Sequence, residues 1–287
     1  CRPDSRAGVM KAVGAPSNRQ VTYTLDIANP NTGQQSWNGI YFANQAELSN
    51  INNQIGGVNT ITPGSPTRFL LENLNMGIDF QNRGACPTTL HIYIVKPKRD
   101  CWYGTGASQM VFNPPNGGIQ YPWDGDPLTA IQQGYNAQLQ AGSGTDAYLD
   151  PSLAPTKVDL FNEYFRIERH QEVQMAVGGV HRLEFNHHYD KVCDGSVFGN
   201  TPLRFLKGLT GCILIRVVGS PVQDLEEGAG GATTLSPTSV SCVYTKSYRF
   251  TQIYSAQISS YESNALIQAP DSVGTITLAS KGIVAYS

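Results

Sequence analysis

Metal ligation, nucleophilic attack and acid–base work are the chemistries that histidine, cysteine and carboxylate spacing could support in this 287-residue chain. The histidines come closest to a cluster. His181, His187 and His188 lie near one another, with His170 just upstream. On an extended strand His181 and His187 share a face but stand about 20 Å apart, too far to close on one ion without help from other strands. His188 points the other way. A buried, hydrogen-bonded histidine or a subunit contact therefore fits His181 and His187 better than a metal ligand. An imidazole at such a contact titrates near neutrality.

Carboxylates group at Asp124/Asp126, Asp146/Asp150 and Asp224/Glu226/Glu227. Loops can supply the six to eight oxygens of a calcium site, but none of the three groups follows EF-hand spacing. A glycosidase would need two carboxyls at a set separation, which a sequence does not give. No G-x-S-x-G elbow is present, and Gly142-Ser143-Gly144 and Gly64-Ser65 sit in turn-like runs. Six cysteines at 1, 86, 101, 193, 212 and 242 show no C-x-x-C pair. That spacing lacks a zinc pattern, and reduced, mostly buried thiols are expected. The expectation is no metal, no cofactor and no enzyme.

Positive charge gathers at Lys96, Lys98 and Arg99, and sparsely along an amino-terminal stretch at Arg2, Arg6 and Lys11. Three cations in four residues suit phosphate, although a solvated loop explains them too. Residues 1–20 have no periodicity and read as an extended arm that orders against something else. Residues 21–287 read as one domain.

The elements that must carry these groups are mostly strands. Apolar residues recur with period two over 21–27, 74–80, 89–95, 180–189 and 240–254. Residues 164–168 and 173–177 form two further arms. Gly178-Gly179 then reads as a hairpin turn between the second arm and 180–189. Cys212–Val218 is apolar nearly throughout and reads as a central strand, and a last strand fits 274–286 with Gly282 as a bulge. One helix runs from about 127 to 141, with Asp126 as cap, Pro127 at the first position and Gly142 as stop. A second covers 45–55. Long turn-rich connections fill 28–68, 99–157, 190–211 and 219–238. The fold class is all-β: a single jelly-roll sandwich of eight to nine strands with one or two short helices in long loops.

Charged residues make up only 15% of the chain and the net charge is −2. A coiled coil, a disordered chain and a strongly basic nucleic-acid-binding body are thereby excluded. No run of 18 apolar residues marks a membrane helix.

The segment Phe161–Lys191, FNEYFRIERHQEVQMAVGGVHRLEFNHHYDK, resembles the middle of capsid proteins from circovirus-like viruses, the circular single-stranded DNA viruses that encode a replication initiator. LHIYIVKPKRD (90–100), ILIRVVGSPVQD (213–224) and SVSCVYTKSYRF (239–250) resemble, in order, an early strand leaving toward a basic loop, a late strand and the Tyr-rich strand near the end. The resemblance covers roughly 90–250. It implies a single jelly roll whose copies close into an icosahedral shell around viral DNA. It also implies location in the virion, with assembly in the host nucleus or cytoplasm. Some positive-strand RNA viruses use similar shells, so the genome type stays open. The resemblance further implies a basic amino-terminal arm. Residues 1–20 hold only Arg2, Arg6, Lys11 and Arg19, so the expectation is that the basic arm lies upstream of Cys1 or that genome contact works differently. Tyr is enriched at interfaces, and Tyr244 and Tyr248 join His181 and His187 as expected subunit contacts. The receptor is not legible, and no membrane partner is expected. Two rival readings remain. One is a secreted carbohydrate-binding module with Trp102, Tyr103, Tyr121 and Trp123 as an aromatic platform. The other is a β-sandwich hydrolase using aspartates of 124–150.

Overall fold

The structure is a computed structural model and describes residues 17–29, 35–55, 68–102, 110–112, 121–138, 153–194, 203–223, 233–252 and 276–277. In chain order the elements are β1 (Ser17–Asn29), β2 (Ser36–Phe42), α1 (Gln45–Ile55), β3 (Arg68–Asn82), β4 (Thr88–Pro97), β5 (Cys101–Trp102), β6 (Met110–Phe112), β7 (Tyr121–Trp123) and α2 (Pro127–Gln138). They continue with α3 (Asp159–Tyr164), β8 (Phe165–Met175), β9 (Val180–Asp194), β10 (Leu203–Phe205), β11 (Gly211–Gly219), β12 (Pro221–Gln223), β13 (Thr233–Leu235), β14 (Thr238–Gln252) and β15 (Ile276–Thr277).

Nine of these strands make two antiparallel sheets, ordered β15-β1-β14-β3-β9 and β2-β11-β4-β8, and all but the two-residue β15 form the eight-stranded frame. The pairing is nested. Among the eight, the first strand pairs with the last (β1–β14), the second with the seventh (β2–β11), the third with the sixth (β3–β9) and the fourth with the fifth (β4–β8). A long antiparallel hairpin wrapped once around a core gives this order, and it is the double-sheet jelly roll.

Period two explains the first sheet. Leu74, Met76, Ile78 and Phe80 on β3, Leu183 and Phe185 on β9, and Cys242, Tyr244 and Tyr248 on β14 face a core shared with Ile92, Ile94, Ile213 and Ile215. Their alternates Asn75, Asp79, Gln81, Arg182, Glu184 and Asn186 are exposed. The central strands β4 and β11 of the second sheet are buried on both faces, while the edge strand β8 is largely exposed. Tyr93, Val95, Cys212 and Leu214 meet a second apolar layer built by Met110, Trp123, Ile131, Leu160, Phe161 and Phe165. Hence β11 is apolar at nearly every position, as strands covered on both faces are.

The sequence reading missed β2 because it too serves both layers. Trp37 joins the outer cluster while Ile40 and Phe42 join the inner one, so no alternation shows. Gly211 faces Phe42 across the ladder, and a Cβ there would stand 2.2 Å from the ring. Only glycine lets that ring lie flat over the strand.

The expected hairpin at Gly178-Gly179 is corrected by the pairing. The turn is present, with Gly178 at φ +72°. Its two arms do not pair with each other: β8 joins β4 in one sheet and β9 joins β3 in the other. The turn is a corner between sheets. Asn82 at the end of β3 fastens it, donating from its amide to the Ala176 carbonyl at 3.2 Å and the Cys86 carbonyl at 2.9 Å, while its backbone bonds Gly178 and Gly179. The two arms expected at 164–168 and 173–177 are one continuous strand, β8.

β1 begins at Ser17, so the expected arm of 1–20 overlaps it by four residues. The rest of that arm lies outside the described residues, as does most of the expected 274–286 strand, Gly282 included; Ile276–Thr277 pairs with β1. Asp126 caps α2, accepting from the Leu128 backbone at 2.7 Å and from the Tyr41 hydroxyl at 2.6 Å.

Candidate functional site

The lateral side on which β8 and β9 form the free edges of the two sheets concentrates the titratable groups. All five histidines of the chain stand on β4, β8 and β9. Two expected contact residues, His181 and His187, project from β9 toward the core and are half-buried. His181 lies over Phe80 and meets the Gln171 amide of β8 at 3.4 Å. His187 meets the Lys96 ammonium of β4 at 2.8 Å through Nε2. His170, just upstream of the others in sequence, lies on the outer face of the other sheet. There it lies over Tyr93 at 4.3 Å and meets His91 Nδ1 at 3.4 Å.

Lys96 was expected to face phosphate. Its backbone position on β4 turns it inward instead, where it is only 8% exposed and pairs with Glu168 at 3.4 Å. Lys98 and Arg99 follow the strand and are exposed. Both are drawn onto α3: Lys98 donates to the Asn162 carbonyl, and Arg99 pairs with Glu163 and lies 4.0 Å over the Tyr164 ring. Arg2, Arg6 and Lys11 lie outside the described residues.

Tyr244 and Tyr248 stand inside the subunit rather than at a contact surface. Tyr248 is 2% exposed, donates to Glu47 Oε2 at 2.6 Å and accepts from the Ala43 backbone at 2.7 Å. Burial, then the Glu47 carboxylate, pushes its hydroxyl well above the ordinary tyrosine range. The same carboxylate takes Lys246 Nζ at 2.7 Å. Glu47, Lys246 and Tyr248 thus make a buried ionic network that pins α1 to β14. The sequence held one sign of it: Lys246 is a cation in phase with Tyr244 and Tyr248 on an otherwise apolar face.

Cys101 and Cys193 are buried, and burial pushes each thiol up to about 12. Such thiols are inert at neutral pH. Cys86, Cys212 and Cys242 likewise form no disulfide among the described residues, and of the five described only Cys86 is not buried. Among the described residues no group of three or more His, Cys, Asp or Glu is placed to hold a metal ion. Asp146, Asp150, Asp224, Glu226 and Glu227 lie outside them. No helix among the described residues is long and apolar enough to cross a membrane. The aromatic platform of the carbohydrate reading is not assembled among these residues. Trp123 is 1% exposed, against Tyr164 and Phe165, while Trp102 is 42% exposed.

The nested strand order defines the class, a double-sheet jelly roll, an architecture that serves viral capsid, lectin and cupin domains alike. No family model and no characterised protein sequence matches the chain. Among solved structures it is similar to a chain of Desmodium yellow mottle tymovirus, with a TM-score of 0.24 and 9% identity over 84% of this chain and 91% of that one. It is also similar to VP1 of Trichodysplasia spinulosa-associated polyomavirus in complex with sialylated glycooligomers, with a TM-score of 0.25 and 10% identity over 84% and 95% of the two chains. VP1 of Merkel cell polyomavirus in complex with disialyllactose gives a TM-score of 0.20 and 9% identity over 79% and 98%. Overlaps this shallow fix neither fold nor role, and the jelly roll stands on strand order and register.

Proposed function

We propose that the chain is a structural protein: the major capsid subunit of a small, circovirus-like virus, whose copies close into an icosahedral shell around a single-stranded DNA genome. One observation carries the reading. The four segments with capsid-like sequence fall in order on β4, on β8–corner–β9, on β11 and on β14, which are five of the eight strands of a jelly roll. Degenerate alternation alone does not demand that coincidence. A low charge content suits a surface that mates with copies of itself, since Lys and Glu are depleted at interface cores.

A charge of −2 per subunit sums to about −120 over roughly 60 copies, a sign that repels nucleic acid. Neutralisation must therefore come from local basic patches or from a basic arm upstream of Cys1. Lys98 and Arg99, with Arg166 close by at the start of β8, are the described cations offered for it. Each phosphate contact on a single strand adds about 0.7 to the slope of log affinity against log salt. Changing Lys98 and Arg99 together to alanine is expected to flatten that slope by about 1.4 for a single-stranded oligonucleotide. An unchanged slope removes both residues from the genome contact. Sedimentation of the purified chain tests the reading as a whole: a species many times heavier than 31.1 kDa supports it, and a monomer at all concentrations opposes it.

A further inference from the structure

At the β8–β9 side the two sheets are joined through the corner at 176–179 and through polar contacts from β9 to β4 and β8. One contact has an unusual charge balance. Lys96 Nζ on β4 faces His187 Nε2 on β9 at 2.8 Å and Glu168 Oε2 on β8 at 3.4 Å. An ammonium can donate to an imidazole nitrogen only while that nitrogen keeps its lone pair. A protonated His187 would put two cations at hydrogen-bond distance. Glu168 cannot offset them both, because Arg166 already holds its other oxygen at 3.2 Å. His188, the neighbour on the same strand, adds a further like charge when protonated. From β3, the residue opposite His187 is the uncharged Leu74.

We propose that Lys96, Glu168 and His187 form an acid-released clasp between the two sheets, so that protonation of His187 frees the β8–β9 side of the sandwich. The neighbouring contact, Gln171 with His181, survives acid, because a flipped amide can accept from a protonated ring. Burial first, and then Lys96, holds the His187 imidazole below its ordinary 6.5. The folded chain therefore favours neutral His187. Its contribution to stability is full above pH 6.5 and is lost as the pH falls below that value. The device belongs to the single subunit and does not depend on shell formation.

Hydrogen exchange on the full chain tests it, read at pH 7.5 and pH 5.5 with intrinsic exchange corrected. His91 on the opposite sheet face is also held below 6.5, by burial and then by Arg216, with Glu172 and His170 as its other charged neighbours. The comparison is therefore made in a His91→Gln background. At the lower pH, amides binding β8 to β4 and β9 to β3 are expected to lose protection, by at most about tenfold because pH 5.5 lies one unit below the ordinary imidazole value. Amides between β11 and β2, and between β14 and β1, keep theirs. His187→Gln, which accepts from Lys96 at any pH, abolishes the difference, and Lys96→Met shrinks it. Loss spread evenly over both sheets, or a full difference surviving in both variants, overturns the clasp.

Discussion

Glu47→Ala is expected to destabilise the subunit by about 3–5 kcal/mol, because it leaves the buried Lys246 ammonium without its carboxylate. Glu47 and Lys246 are both buried, and the pair spans 199 residues of chain from the first turn of α1 to the middle of β14. Lys246→Met leaves the reverse problem, a buried carboxylate held by the Tyr248 hydroxyl, and belongs in the same range. Glu47→Ala combined with Lys246→Met removes both charges together. Tyr248 keeps its bond from the Ala43 backbone, and the desolvation of two ions disappears. The double variant is therefore expected to be more stable than either single one, with a coupling of about 2 kcal/mol or more in a urea-denaturation cycle. Additive losses would show that the charges do not act as a pair. Tyr248→Phe is a milder change, but it strands the Ala43 N–H and is expected to cost about 1–3 kcal/mol.

Trp123→Ala is expected to have a comparable effect, about 3–5 kcal/mol, by emptying the centre of the outer layer. The indole touches Tyr164 edge-on at 4.8 Å and is almost wholly enclosed. Among the described residues its Nε1 has no hydrogen-bond partner, so Trp123→Phe loses volume but no polar contact to them and should cost much less. Trp102→Ala, at an exposed position, should stay within about 0.5 kcal/mol. Denaturation midpoints of the three variants check this order. Had the four aromatics at 102–123 formed a sugar-binding platform, Trp123 would be exposed and its removal would spare stability.

The contrast between these two sites shows what the sequence could carry. Alternation at Leu74–Phe80 or Leu183–Tyr189 reports a face buried on one side, so those strands were legible, and the cap at Asp126 located α2. The covering layer on the second sheet was not legible, because Trp37 and Tyr41 read as ordinary apolar residues whichever face they take. The corner at Gly178 defeated the reading for another reason. Glycine supplies a positive φ equally to a hairpin and to a chain that changes sheets, and only the long-range ladder decides between them. Lys96 and Lys246 illustrate the limit for function. A lysine next to a turn suggests phosphate, yet a partner carboxylate far along the chain brings it inside. Glu47 gave no warning, since an acidic residue in the first turn of a helix is already explained by the helix dipole.

Negative-stain electron microscopy of the purified full chain, at neutral pH and high concentration, tests the central claim most directly. The jelly roll with capsid-like strands is expected to show closed, hollow particles of uniform diameter. A field of single subunits, together with a mass near 31.1 kDa by light scattering at the same concentration, would contradict it.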